Sequence, residues 1–161
     1  MTNDEQHCVY NVLNGAIYRD LPARSRSTIL LRIDSLMSGG GATYDYDAVT
    51  VEHVLPQKPS NGSKWLEWFP DLTEREQLVH KIGNLALLTR KKNSAASNYE
   101  FTKKKEAYFS KGGISPFVLT TQVLQHQDWT PSVIQSRQNE LLQKLELHWR
   151  LRVERAQFTS C

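Results

Sequence analysis

The fold of this chain is decided by one stretch, Ala48-Val49-Thr50-Val51-Glu52-His53-Val54-Leu55-Pro56-Gln57. Its first seven residues are rich in β-branched side chains, which favour extended structure, and Pro56 is a residue that ends such a run. We therefore predict a strand over residues 48–54. Glu52 and His53 place a carboxylate beside an imidazole at the end of this strand, and these groups can bind a cation and accept a proton.

A second short strand is predicted at residues 84–89, after Gly83. The pattern of apolar residues around the two strands is helical, with proline and glycine residues between the segments. One of these helices is predicted to open with a capping box of Thr73 and Glu76. The predicted helices cover about residues 10–19, 27–37, 65–69, 73–81, 98–110 and 116–125, and a last one begins at Thr130-Pro131. We therefore predict an α+β fold, a mainly helical domain surrounding a short two-stranded antiparallel hairpin.

The composition excludes several classes of protein. The chain has 161 residues, a net charge of +3 and a pI near 8.9, values that fit one mildly basic globular domain. Cys8 and Cys161 are the only cysteines, so a zinc ribbon of four thiolates is excluded and nothing in the sequence suggests a disulfide scaffold. No apolar run approaches the ~20 residues that span a bilayer. We predict a cytoplasmic protein without a membrane segment.

Glu52 and His53 are neighbours on a predicted strand, and neighbouring strand side chains point to opposite faces. A regular strand therefore keeps the two groups out of a common pocket. A local twist after Leu55, at Pro56, would be needed to bring them together.

These residue types suit hydrolysis of a phosphodiester bond, which needs a proton acceptor and a cation at the leaving oxygen. His53 is the candidate acceptor, because histidine titrates near neutral pH. Its second nitrogen requires a fixed partner, and either the Asn84 amide or a backbone carbonyl can supply one. Glu52 and Asn93 offer hard oxygen ligands, which suit Mg²⁺ or Mn²⁺ better than Zn²⁺.

The residues from Glu52 to Gln57, followed by Gly83-Asn84-Leu85-Ala86-Leu87-Leu88-Thr89-Arg90-Lys91-Lys92-Asn93, resemble an HNH (ββα-metal) nuclease core. The resemblance is nearest to the C-terminal HNH-like domain of GmrSD-type, modification-dependent restriction endonucleases and related phage-defence proteins. The spacing of the two asparagines is also similar to that in Cas9-type HNH domains.

This resemblance implies a role for each matching residue. His53 corresponds to the general base, Asn84 to the residue that orients it, and Glu52 and Asn93 to the metal ligands. The sequence departs from the pattern in two places: Glu52 stands where many HNH domains have aspartate, and Asn93 where many have histidine.

Basic residues flank the predicted site and are candidates for contacts with nucleic-acid phosphates, although runs of charge are often only a solvated face. Asn84 could equally be a turn residue, and Asn93 a helix N-cap. The remaining histidines have no comparable motif of carboxylate and asparagine residues around them, and they are interpreted as surface or packing residues: His7, His80, His126 and His148. The basic candidates are Arg90, Lys91, Lys92, Lys103, Lys104 and Lys105.

The resemblance covers most of the chain and predicts one domain over residues 1–161. Its ββα-metal core spans about residues 47–110, with helical flanks at residues 1–40 and 116–158. The expected function is metal-dependent nicking of DNA, as the effector part of a larger restriction or anti-phage protein whose sensor or NTPase domain lies elsewhere. Two alternatives stay open, an inactive nucleic-acid-binding or regulatory module of the same fold, and an RNA nuclease.

Overall fold

The computed structural model of the protein describes residues 1–45, 48–89, 98–109 and 115–151, without the side chains at 107 and 108. Within these ranges, helices surround two short strands, as the sequence predicts. A 3₁₀ turn at Ile82–Asn84 precedes the second strand, and a π-helical turn at Lys105–Phe109 continues the sixth helix. The elements are α1 (Asn3–Asn14), α2 (Ile17–Asp20), α3 (Ala23–Met37), β1 (Thr50–His53), α4 (Lys64–Trp68), α5 (Leu72–Val79), β2 (Leu85–Leu88), α6 (Phe101–Lys104), α7 (Val118–Gln125) and α8 (Pro131–Trp149).

The strands β1 and β2 form an antiparallel hairpin in which Thr50 pairs with Leu88 and His53 pairs with Leu85. The α+β fold with a central hairpin is confirmed. Both strands are shorter than predicted, and β2 begins at Leu85 because Asn84 belongs to the 3₁₀ turn that leads into it.

Both faces of the hairpin are buried, which explains why β2 is apolar along its whole length. Alternate side chains enter two different hydrophobic clusters. One face packs on aromatic residues from the middle of the chain, and the other packs on the N-terminal helices and α8. The first cluster includes Val54, Trp65, Phe69, Ala86, Leu88, Phe101, Phe109 and Trp129, and the second includes Leu13, Ile17, Leu30, Ile33, Val51, Leu85, Leu87, Leu141 and Leu145.

Several predicted helix starts are wrong: α3 begins at Ala23 and not at residue 27, and the capping residues of α1 and α5 differ from the prediction. The first helix begins at Asn3, where Thr2 and Glu5 form a capping box, so the prediction of a start near residue 10 is corrected. The helix α5 is capped by Asp71, whose carboxylate accepts a hydrogen bond from the Glu74 amide at 2.7 Å. The predicted capping residue Thr73 is therefore two residues too late. The Thr130-Pro131 start of α8 is confirmed.

The helix α8 holds the 3₁₀ turn that positions β2. The Gly83 amide donates to the side-chain oxygen of Gln138 at 2.7 Å. The buried guanidinium of Arg137 donates to the carbonyl oxygens of Ile82, Gly83 and Leu85 at 3.3, 2.8 and 3.0 Å. These contacts fix the turn against α8 and, through it, the register of the hairpin.

Across the described ranges, none of the helices has the length and apolar character that crossing a membrane requires.

Candidate functional site

His53 is the last residue of β1, and its ring lies on the hairpin face that packs on α2. The side chain is 1% exposed. The ring of Tyr18 meets it edge-on, with 4.1 Å between the ring centroids. The imidazole is therefore held in one orientation by packing as well as by hydrogen bonds.

Both ring nitrogens of His53 have polar partners. The Nε2 atom lies 3.2 Å from Nδ1 of His80, and Nδ1 lies 3.4 Å from the amide nitrogen of Gln57. Gln57 is exposed, so the Nδ1 side of the ring is the side nearest to solvent. The imidazole at this end of β1 thus has one nitrogen beside the half-buried His80 and the other beside the exposed Gln57.

His80 lies beside His53, a contact that the sequence does not predict, although its half-buried position agrees with its interpretation as a surface or packing histidine. It is half-buried at the end of α5, and its ring stacks on Tyr18 with 11° between the ring planes. Burial lowers the pKa of His80, the Arg19 charge lowers it further, and Asp20 opposes that effect. His80 is therefore neutral at pH 7. The sequence offers no pattern that links it to His53, from which it is 27 positions away.

Glu52 lies on the opposite face of the hairpin, as the alternation of strand side chains predicts. Its carboxylate is 1% exposed and lies 3.7 Å from the ammonium of Lys104, which is itself completely buried. The same ammonium donates to the carbonyl oxygens of His53 and Val54 at 2.7 and 2.9 Å. Lys104 thus ties α6 to the end of β1 and compensates the buried charge of Glu52.

Asn84 fixes the loop that follows His53. Its amide oxygen accepts hydrogen bonds from the Leu55 amide at 2.8 Å and from the Trp129 indole at 3.1 Å. Its amide nitrogen donates to the carbonyl oxygens of Leu55 and Val79 at 3.0 and 2.8 Å. All four hydrogen-bonding positions of the amide are occupied, so the predicted contact between this amide and the imidazole is not formed.

Residues 7–144 match the family model of the GmrSD restriction endonucleases, C-terminal domain. The match covers most of the chain. This chain belongs to that family. The resemblance predicted from the sequence is confirmed, and the domain is a nuclease of the restriction-endonuclease type. No curated protein matches the chain.

The basic candidates of this GmrSD C-terminal domain differ in their surroundings. Lys103 is exposed, with its ammonium 4.0 Å from the centre of the Tyr99 ring. Lys105 is half-buried and donates to the His126 carbonyl at 2.7 Å. Lys104 is inside the core, so the prediction that it contacts phosphate is wrong. The other predicted site residues lie outside the described ranges: Arg90, Lys91, Lys92 and Asn93.

The described ranges of the domain hold no group of three or more His, Cys, Asp and Glu side chains that could bind a metal ion. The carboxylate of Glu52 and the amide of Asn93 are hard oxygen donors, and this chemistry fits Mg²⁺ or Mn²⁺ better than Zn²⁺. The Lys104 ammonium lies 3.7 Å from the Glu52 carboxylate, so a divalent ion at Glu52 would have to compete with this ion pair.

Proposed function

We propose that this domain is a metal-dependent DNA endonuclease in which His53 is the general base. One observation carries the proposal: within a restriction-endonuclease domain, the imidazole at the end of β1 is held through both ring nitrogens. DNA is the substrate that the family's description indicates. The HNH type of chemistry is the one that these residues suit best.

The hydrogen bonds of His53 assign a role to each of its nitrogens. The Gln57 amide nitrogen carries only donor hydrogens, so Nδ1 of His53 accepts and the imidazole proton resides on Nε2. In the reaction, Nδ1 takes a proton from water while the water oxygen attacks phosphorus. The bond from phosphorus to the leaving oxygen then breaks, and this oxygen takes a proton from solvent. His53 gains charge in this step and requires a fixed partner at Nε2.

Access to Nδ1 depends on Gln57. Its side chain is exposed and its contact with His53 is long, at 3.4 Å, so its displacement costs little. We expect substrate to replace the Gln57 amide at Nδ1, which brings the otherwise buried ring into contact with water and phosphate.

Glu52 and Asn93 would hold the divalent ion, which supplies positive charge to the leaving oxygen when bound. In the structure, the charge of Glu52 is balanced by Lys104. We therefore expect ion binding at Glu52 to compete with this ion pair.

Contacts with the phosphate backbone are proposed for the exposed Lys103 and for Arg90, Lys91 and Lys92. Such contacts are independent of base sequence and weaken as salt concentration rises. We assign recognition of a modified base to a separate N-terminal sensor or NTPase domain, and the family's description as a C-terminal domain supports the presence of a further domain. One site cuts one strand, so a single domain is expected to nick DNA in cytoplasmic defence against phage.

The test is cleavage of supercoiled plasmid by the purified chain with Mg²⁺ or Mn²⁺, with and without a chelator. We expect metal-dependent nicking that His53→Ala abolishes. His126→Ala is the matched control, because His126 is also a half-buried histidine but lies against Trp129, away from the site. An inactive wild-type protein, or an active His53→Ala variant that is folded by circular dichroism, overturns the proposal.

A second candidate is a nucleic-acid-binding or regulatory module that keeps the fold without catalysis. It is favoured by the burial of His53 and by the ion pair that occupies Glu52. This candidate predicts salt-sensitive DNA binding with no cleavage by any divalent ion. Parallel assays on DNA and RNA of the same sequence separate both candidates from an RNA nuclease.

A further inference from the structure

His80, the partner of His53 at Nε2, is held beside it by a backbone hydrogen bond between distant parts of the chain. The helix α5 ends at His80, whose carbonyl oxygen accepts the backbone amide of Tyr18 at 3.2 Å. This bond joins the end of α5 to α2, and the two elements together enclose the imidazole of His53. The ring of His80 approaches that of His53 edge-on, with 5.2 Å between the centroids.

With the Gln57 amide nitrogen facing Nδ1 of His53, the contact between the two imidazoles takes the following assignment of protons. Because Nδ1 of His53 accepts from Gln57, Nε2 of His53 carries the hydrogen and donates it to Nδ1 of His80. Nδ1 of His80 must therefore keep its lone pair, and its own proton belongs on the other ring nitrogen. A protonated His80 would present a second donor to Nε2 and break the contact.

We infer that His80 is the positioning residue of the site, accepting the Nε2 proton of His53 so that Nδ1 remains the proton acceptor. The inference rests on the proposed function of His53 as general base. It replaces Asn84 in the orienting role, because the Asn84 amide is occupied by Leu55, Val79 and Trp129. His80 does not touch the reacting atoms and acts only through His53.

The surroundings of His80 maintain the neutral form that this role requires. Burial and the Arg19 charge keep the pKa of His80 below its ordinary value. Tyr18 lies edge-on to His53 and stacks on His80 at 5.8 Å, so one ring orients both imidazoles. Tyr18 is fixed in turn by the Arg26 guanidinium, 4.0 Å from the centre of its ring.

The test compares His80→Leu with His80→Asn in the complete chain. Leucine removes the acceptor, whereas the side-chain oxygen of asparagine can occupy the position of Nδ1 and accept the same proton. His126→Leu is the matched control for loss of a half-buried histidine with a lowered pKa. All variants are first compared by thermal unfolding, so that a loss of activity is read only from folded protein.

Two readouts separate positioning from a structural effect. Nitrogen-15 NMR of the histidines, with His53 assigned by its loss in His53→Gln, is expected to show a proton on Nε2 in the wild-type protein. His80→Leu should give a mixture of tautomers and lower kcat by about 10- to 100-fold at an unchanged KM. His80→Asn should restore the tautomer and most of kcat, and His126→Leu should change neither.

The inference and the proposed function fail in different ways. If His80→Leu retains both the wild-type kcat and the Nε2 tautomer, His80 is not the positioning residue, while the nuclease assignment stands. If the wild-type protein does not cleave DNA, the proposed function is wrong, and the NMR comparison alone then decides the role of His80. A wild-type tautomer with the proton on Nδ1 overturns the inference whatever the activity.

Discussion

Replacement of Asn84 by alanine tests whether this asparagine acts on the imidazole or on the fold. Its amide satisfies the amide and carbonyl of Leu55, the carbonyl of Val79 and the indole of Trp129. Each of these groups is buried with Asn84, which has no exposed surface. Asn84→Ala therefore leaves four polar groups in the core without their partner.

The expected loss can be worked from these four groups. Leaving a buried donor or acceptor unsatisfied costs about 1–3 kcal/mol, but neighbouring groups relax together and their costs are not additive. We expect Asn84→Ala to lower the free energy of unfolding by about 3–5 kcal/mol, a large part of the ~5–15 kcal/mol typical of a domain. The loop after His53 would lose its attachment, so activity falls with stability.

Urea denaturation followed by circular dichroism measures this change. Asn139→Ala is the control, because Asn139 is exposed on α8 and its replacement should change stability by less than about 0.5 kcal/mol. A loss below about 1 kcal/mol for Asn84→Ala would refute the reasoning. If such a stable variant also lost its activity, a direct role of Asn84 at the imidazole would be favoured again.

Three further changes test the packing around the site. Gly83→Ala should destabilise the domain by about 1–3 kcal/mol or more, because the new methyl group would lie 2.4 Å from the Ile134 carbonyl of α8; thermal unfolding measures this. Lys104→Met should cost about 3–5 kcal/mol in urea denaturation, because a buried carboxylate loses its cation and two carbonyls of β1 and its loop lose their donor. Stability should fall as pH drops below about 6.5, because burial lowers the pKa of both His80 and His126 and the unfolded chain then binds more protons. Urea midpoints between about pH 8 and pH 5 measure this slope, which either histidine-to-leucine variant should reduce.

Each of these predictions has a control or a result that would contradict it. Lys103→Met removes an exposed lysine beside Lys104 and should leave the urea midpoint nearly unchanged. A Gly83→Ala protein as stable as the wild type would show that the turn can move away from α8. A pH slope that survives removal of both histidines would assign the effect to other groups.

The sequence predicts a strand or a helix start well where a few neighbouring residues form a clear pattern. The β-branched run places β1, the apolar run after Gly83 places β2, and Thr130 with Pro131 marks the start of α8. Strand alternation predicts that Glu52 and His53 face opposite sides of the sheet, and the register of the two strands agrees with this prediction. The error at α5 comes from choosing between Thr73 and the nearby Asp71, which can both cap a helix, whereas at α1 the prediction misses the capping box of Thr2 and Glu5.

The sequence does not predict which groups the polar side chains contact. The sequence groups Lys103, Lys104 and Lys105 as one basic cluster, yet only the structure shows that Lys104 is inside the core. The sequence likewise offers Asn84 as a partner of the imidazole, whereas in the structure its amide binds the backbone of Leu55 in the loop that follows His53.

The sequence alone thus determined the family, the central hairpin and His53 as the residue at its end. Only the tertiary structure decided that His80 meets His53 and that Lys104 compensates Glu52. The physical reason is distance along the chain. Helix and strand patterns express interactions between residues a few positions apart, whereas these contacts join residues 27 and 52 positions apart whose side chains meet only once α5 and α6 have packed on the hairpin.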